Sequence, residues 1–158
     1  MKITAESPDL SGDPCFIFDF EKTEIKLVID KGGKIEHEWK NTTNSEWASA
    51  WIGDAMIAGK LTIFNTVSKP CLIKLLNDHG FPVKGSFDIW YLRLADALVD
   101  EKKLEGIVSE DMDFFQPDLK SSLTGKKRIE YLKALKGKLR KDLLKRKIDV
   151  RCIHGWIK

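Results

Sequence analysis

The chain has 158 residues, 42% of them hydrophobic and 32% charged, with a formal net charge of +3. That is enough sequence for one ordinary core, so a single domain over 1–158 is expected. No apolar run approaches the roughly 18 residues of a bilayer-crossing helix, and Met1–Glu6 lacks the apolar stretch of a secretory leader. These features set membrane and exported proteins aside.

Along the chain, Met1–Ala5 reads as a short strand, broken by Ser7-Pro8 and Ser11-Gly12-Asp13-Pro14. Cys15–Glu24 suits either a helix or a strand. Ile25–Asp30 is a buried strand followed by the turn Lys31-Gly32-Gly33-Lys34. Ile35–Lys40 begins a helix. The polar joint Asn41–Ser45 then offers N-cap residues to a second helix over Glu46–Ala58, with Trp47, Trp51 and Ala55 on one stripe. Thr62–Asn65 is extended. Pro70–Asp78 is helical, with Gly80 placed to end it. Ser86–Glu101 is a helix with a broad apolar face, and Gly106–Ser109 a short buried strand ending in acids. Gly125–Arg146 is a last long helix with the stripe Leu132, Leu135, Leu139 and Leu143, and Ile148–Ile153 a final strand. Strands alternating with helices imply a three-layer α/β/α domain around a four- or five-stranded, mostly parallel sheet.

Charge is unevenly distributed. Lys120–Arg151 holds 13 Lys/Arg against 3 Asp/Glu, while the rest of the chain has more acids than bases. Such a segment is either a solvated helix face or a contact for a polyanion. Cys15, Cys71 and Cys152 have neither the spacing of a zinc site nor that of a disulfide framework, and a reducing cytoplasm is the expected compartment.

The stretch that carries chemistry is Ile107-Val108-Ser109-Glu110-Asp111-Met112-Asp113-Phe114. An apolar strand delivers a hydroxyl and then acids at its C-terminal end, where open α/β sheets bind ligands. Asp111 and Asp113, two apart, share a side if the segment is extended. Paired carboxylates resist ionising together unless a cation offsets the repulsion, and a hard divalent cation with oxygen ligands does so. Asp88 opens the preceding helix, and Glu38 and Glu6 each bring a further carboxylate to a chain break. Each has a plainer reading: Asp88 as a helix N-terminal acid, Asp111 and Asp113 as turn residues, Glu38 as surface charge. Asp30 reads as a strand-end turn residue.

Ser109-x-Asp111-x-Asp113-Phe114 resembles the late signature of the PIN-domain family of metal-dependent nucleases. Asp88 with Ala95-Asp96-Ala97-Leu98 resembles that family's earlier helix, Ile25–Trp39 resembles a subgroup with an apolar strand, Asp, Gly and then Glu-Tyr, and Ile148–Ile153 resembles its last strand. The resemblance covers most of the chain in order. It implies a Mg²⁺- or Mn²⁺-dependent nuclease, acting on RNA ahead of DNA, with Glu38, Asp88 and Asp111 as metal ligands, Asp113 as a ligand or supporting acid, and Ser109 orienting them. Glu6 is the nearest match to the family's first aspartate. The basic segment Lys126 to Arg151 would hold the nucleic-acid backbone. Since several members are toxins of toxin–antitoxin pairs, an inhibitory protein partner is implied as well, and apolar surface leaves room for a homodimer.

Two alternatives stay open. Glu6-Ser7-Pro8 departs from the family's Asp, Ser/Thr, Asn pattern, which suits a PIN-like module that binds nucleic acid or a partner without catalysis. Phe16–Thr23 resembles the nucleophile motif of haloacid-dehalogenase-like phosphatases, with Asp19 attacking phosphorus and Glu21 in place of the second aspartate.

Overall fold

Where an apolar strand runs into two glycines, the chain must reverse and something must satisfy the first amides of the helix that follows. Asp30 does this here. In the computed structural model its buried carboxylate accepts the backbone amides of Lys34 at 3.0 Å and Ile35 at 2.8 Å. The structure describes residues 3–6, 15–18, 26–42, 44–100 and 106–152, with the side chains of 3–6, 15–18 and 100 excepted. These fall into two compact units, Met1–Asn65 and Thr66–Lys158.

The first unit holds β1 (Ile3–Glu6), β2 (Cys15–Phe18), β3 (Leu27–Asp30), α1 (Lys34–Thr42), α2 (Ser45–Ile57) and β4 (Leu61–Phe64). Strands β1 and β2 pair antiparallel, so the start of the ambiguous Cys15–Glu24 stretch is a strand. Strands β3 and β4 pair parallel, Leu27 opposite Leu61, with both helices in the crossover. Asn44 caps α2 by accepting the amides of Glu46 and Trp47. The buried stripe of α2 is Ala48, Ile52 and Ala55. Trp47 and Trp51, expected on that stripe, are only half-buried and lie beside it, with Trp51 stacked on Trp47 and tilted against Trp39.

The second unit holds α3 (Pro70–Asp78), α4 (Asp88–Asp100), β5 (Gly106–Val108), two single 3₁₀ turns (Met112–Phe114 and Pro117–Leu119), α5 (Gly125–Lys133), α6 (Lys138–Lys145) and β6 (Asp149–Arg151). Strands β5 and β6 pair parallel. One core runs through Leu72, Leu76, Leu92, Phe115, Leu139, Leu143 and Val150, all with essentially no exposure. Among the described residues the strands pair two by two, in place of the expected four- or five-stranded sheet. The mixed α/β character and the parallel pairing agree with the expectation. No helix of the described residues is long and apolar enough to cross a membrane.

The expected long helix over Gly125–Arg146 is two helices. Leu135 and Gly137 both have positive φ, 53° and 125°, and interrupt it. Gly137 is packed on backbone: a Cβ there would collide with the carbonyl of Phe115. That carbonyl accepts the amide of Arg140, at 3.1 Å, so α6 is pinned to the turn after Phe114. Arg140 itself points inward. Its guanidinium donates to the carbonyls of Val150 and Leu135 and to the Asp149 carboxylate.

Two outcomes follow from these contacts. Gly137→Ala adds both a clash and an unfavourable φ, and is expected to cost about 3 kcal/mol, read as a lowered urea midpoint. Asp30→Ala strips the buried Ile35 amide and the part-buried Lys34 amide of their acceptor and is expected to cost about 2 kcal/mol by the same measurement.

Candidate metal centre

The acids after β5 are placed by a chain of local hydrogen bonds. The Ser109 amide donates to the Arg151 carbonyl at 2.9 Å, carrying the β5–β6 pairing one residue further. The Ser109 hydroxyl then accepts the Asp111 amide at 3.0 Å, and Asp111 Oδ1 accepts the Asp113 amide at 2.9 Å. Asp111 is thus the N-cap of the 3₁₀ turn Met112–Phe114. In an extended segment the two acids would share a side through strand alternation. They converge instead because one caps the turn that carries the other. The turn is anchored from below by Met112, Phe114 and Phe115, all buried. This leaves Asp113 itself only 6% exposed.

Asp88 reaches the same place from α4. The Phe114 ring meets Tyr91 edge-on, with centroids 6.4 Å apart, and Phe81 at 6.0 Å. Tyr91 lies three residues after Asp88 and so shares its helix face. The aromatic contact therefore sets the start of α4 against the acidic turn. Ser86 fixes Asp88 locally: its hydroxyl accepts the Asp88 amide at 3.1 Å and donates to Oδ2 at 3.0 Å. One carboxylate oxygen from each of Asp88, Asp111 and Asp113 lies within 4.8 Å of the others.

A cation already attends this cluster. Lys120, just past the second 3₁₀ turn, places Nζ 2.6 Å from Asp113 Oδ2 and 3.2 Å from Asp111 Oδ1. Its side chain is 50% exposed, whereas that of Asp113 is 8% exposed. Burial disfavours the Lys120 ammonium, but the hydrogen bonds it donates to Asp113 and Asp111 outweigh this and hold its pKa above the ordinary lysine value. Among the described residues no cation forms an ion pair with Asp88. Burial lifts its pKa above the usual aspartate value; the Ser86 hydrogen bond opposes this, repulsion from Asp111 and Asp113 adds to it, and the nearby Lys120 charge offsets part of it. Three carboxylate oxygens gathered this closely could hold a metal ion.

Of the residues singled out in the sequence, Asp88, Asp111 and Asp113 come together, and Ser109 braces them. Glu38 sits on α1 of the first unit, half-buried. The Glu6 side chain and Asp19 lie outside the described residues. Asp30 is the helix cap described above. Lys120 was missed, since nothing in its local sequence separates it from the other lysines of the basic segment. Asp96 is a second buried acid, held by Arg146 at 2.8 Å and Lys69 at 3.1 Å within the same unit.

The basic segment divides into exposed and internal members. Lys126, Lys127, Lys133, Lys136, Lys138 and Lys141 are exposed, while Arg140 is internal and Arg146 is engaged with Asp96. Arg128 donates to the Glu110 carbonyl at 2.5 Å, tying the start of α5 to the acidic loop.

The Asp88 shift has a consequence for stability. An acid whose folded pKa is raised favours the fold while protonated, and that contribution is lost as pH rises through the folded pKa. In metal-free buffer at pH 7, Asp88→Asn is therefore expected to raise Tm by about 2 °C. The gain should shrink toward pH 4 in a thermal melt series. No protein-family model matches the chain, and neither the curated proteins nor the solved structures include a match to it.

Proposed function

We propose that this protein is a divalent-cation-dependent nuclease, with RNA favoured over DNA as substrate, and a divergent member of the PIN-domain family with that family's three-layer α/β/α fold. One observation carries the reading: Asp88 and the Asp111/Asp113 pair, singled out in the sequence as ligands, converge to within 4.8 Å from separate segments. Such convergence has a cost, because three carboxylates repel one another and Asp88 is disfavoured as an anion. An unfavourable arrangement of this kind is characteristic of sites kept for chemistry.

In this reading Asp88, Asp111 and Asp113 hold the cation, which supplies a polarised water and charge stabilisation at a phosphodiester. Ser86 and Ser109 fix the orientation of the first two acids, and the buried aromatic anchor under Asp113 keeps the third from swinging away. The exposed lysines of α5 and α6 hold the phosphate backbone, and Arg128 keeps α5 beside the acidic loop. Binding of this kind weakens steeply with salt. A cytoplasmic place and an inhibitory protein partner accord with the family's toxin members.

A second reading is a nucleic-acid-binding module without catalysis. It is favoured by Lys120, which already neutralises part of the cluster. Cleavage of a labelled single-stranded RNA with Mn²⁺ or Mg²⁺ separates the two. Asp111→Asn is expected to lower the rate by about 100-fold or more at unchanged far-UV circular dichroism, and excess EDTA should abolish it. RNA left intact by the parental protein at every cation concentration, yet still retained in a salt-sensitive gel shift, decides for the second reading.

A further inference from the structure

We propose that Lys120 is an exchangeable internal cation, holding Asp111 and Asp113 together until a divalent ion displaces its ammonium, and thereby setting the affinity of the site. The inference rests on the metal-site reading above and concerns how that site is regulated.

Three observations carry it. The first is position. The ammonium lies against two of the three carboxylates that form the cluster, 2.6 Å from Asp113 Oδ2 and 3.2 Å from Asp111 Oδ1. A divalent ion bound to carboxylates sits about 2.0–2.6 Å from each oxygen. The ion and the ammonium thus claim the same space, and their like charges exclude one another. The second is ease of release. The Lys120 side chain is half exposed, so its ammonium has a path into solvent once another cation takes over the buried Asp113 carboxylate. The other buried acid of this unit is held differently: Asp96 is clamped by two cations, Lys69 and Arg146, whose side chains are each less than a third exposed. The third is charge. Three carboxylates against one ammonium leave the cluster negative, so the pair only partly offsets the repulsion, and a doubly charged ion offsets more.

Lys120 therefore acts as a positioning residue. It keeps the two acids in register in the absence of metal, and every binding event must first move it aside.

The test is a Mn²⁺ titration of the full chain at constant ionic strength, followed by isothermal calorimetry and by Tm. Lys120→Met, which keeps the stem and removes the charge, is expected to bind Mn²⁺ roughly tenfold more tightly than the parental protein. Equal or weaker binding overturns the exchange while leaving the metal site standing. Absence of binding in both proteins overturns the exchange and the metal-site reading together. A second measurement uses the parental protein alone. Acetylation of Lys120 by an N-hydroxysuccinimide ester, followed by mass spectrometry, should quicken several-fold on adding Mn²⁺, relative to Lys126 in the same sample. If Mn²⁺ binds and leaves that ratio unchanged, Lys120 is not displaced and the proposal fails, whatever the fate of the variant.

Discussion

Repulsion among three carboxylates is the constraint around which the second unit is arranged. Left alone, Asp88, Asp111 and Asp113 would separate, and the unit holds them together by three separate means. Backbone amides pin Asp111 to its turn through Ser109 and through its own cap. Apolar burial pins the turn through Met112, Phe114 and Phe115. Lys120 supplies countercharge from the solvent side. The first two act on geometry whatever the ionisation state, and only the third depends on charge.

The aromatic contact between Tyr91 and Phe114 links the packing to the site. It belongs to the core, yet it also decides how far Asp88 stands from the other acids. Gly137 works the same way from the opposite side, because the close approach it permits fixes the backbone at Phe115. Stability and site geometry are thus coupled through a few residues that never touch a ligand. A change at Gly137 is a change two residues from Asp113, transmitted through backbone contact.

Part of this was readable from the residues in order. The β5 run ending in Ser109-Glu110-Asp111-Met112-Asp113 announced acids at a strand end, Asp88 announced a helix start, and the cap at Asn44 and the helix over Pro70–Asp78 followed from local propensity alone. Local signals work because capping and periodicity involve neighbours within one or two turns. The same local reasoning joined α5 and α6 into one helix. Leucine spacing continues across the break, and the reason for the break, a backbone contact between Gly137 and Phe115, lies far away in sequence. It also put Trp47 and Trp51 beside Ala55 on the buried stripe of α2, whereas Ala48 and Ile52 are buried with Ala55 and the two indoles stack on each other beside them.

The sequence by itself determined where most of the helices and strands lie, which carboxylates stand at chain breaks, and that bases crowd the last third of the chain. Tertiary structure alone decided that Asp88 meets Asp111 and Asp113, that Lys120 rather than another described lysine attends Asp111 and Asp113, and that Arg140 turns inward to Val150 and Asp149 while its lysine neighbours face solvent. The physical reason is range. Hydrogen-bonded caps and helical periodicity are set within a few residues, whereas the pairing of charges depends on distances in space that only the packed aromatic and aliphatic core establishes.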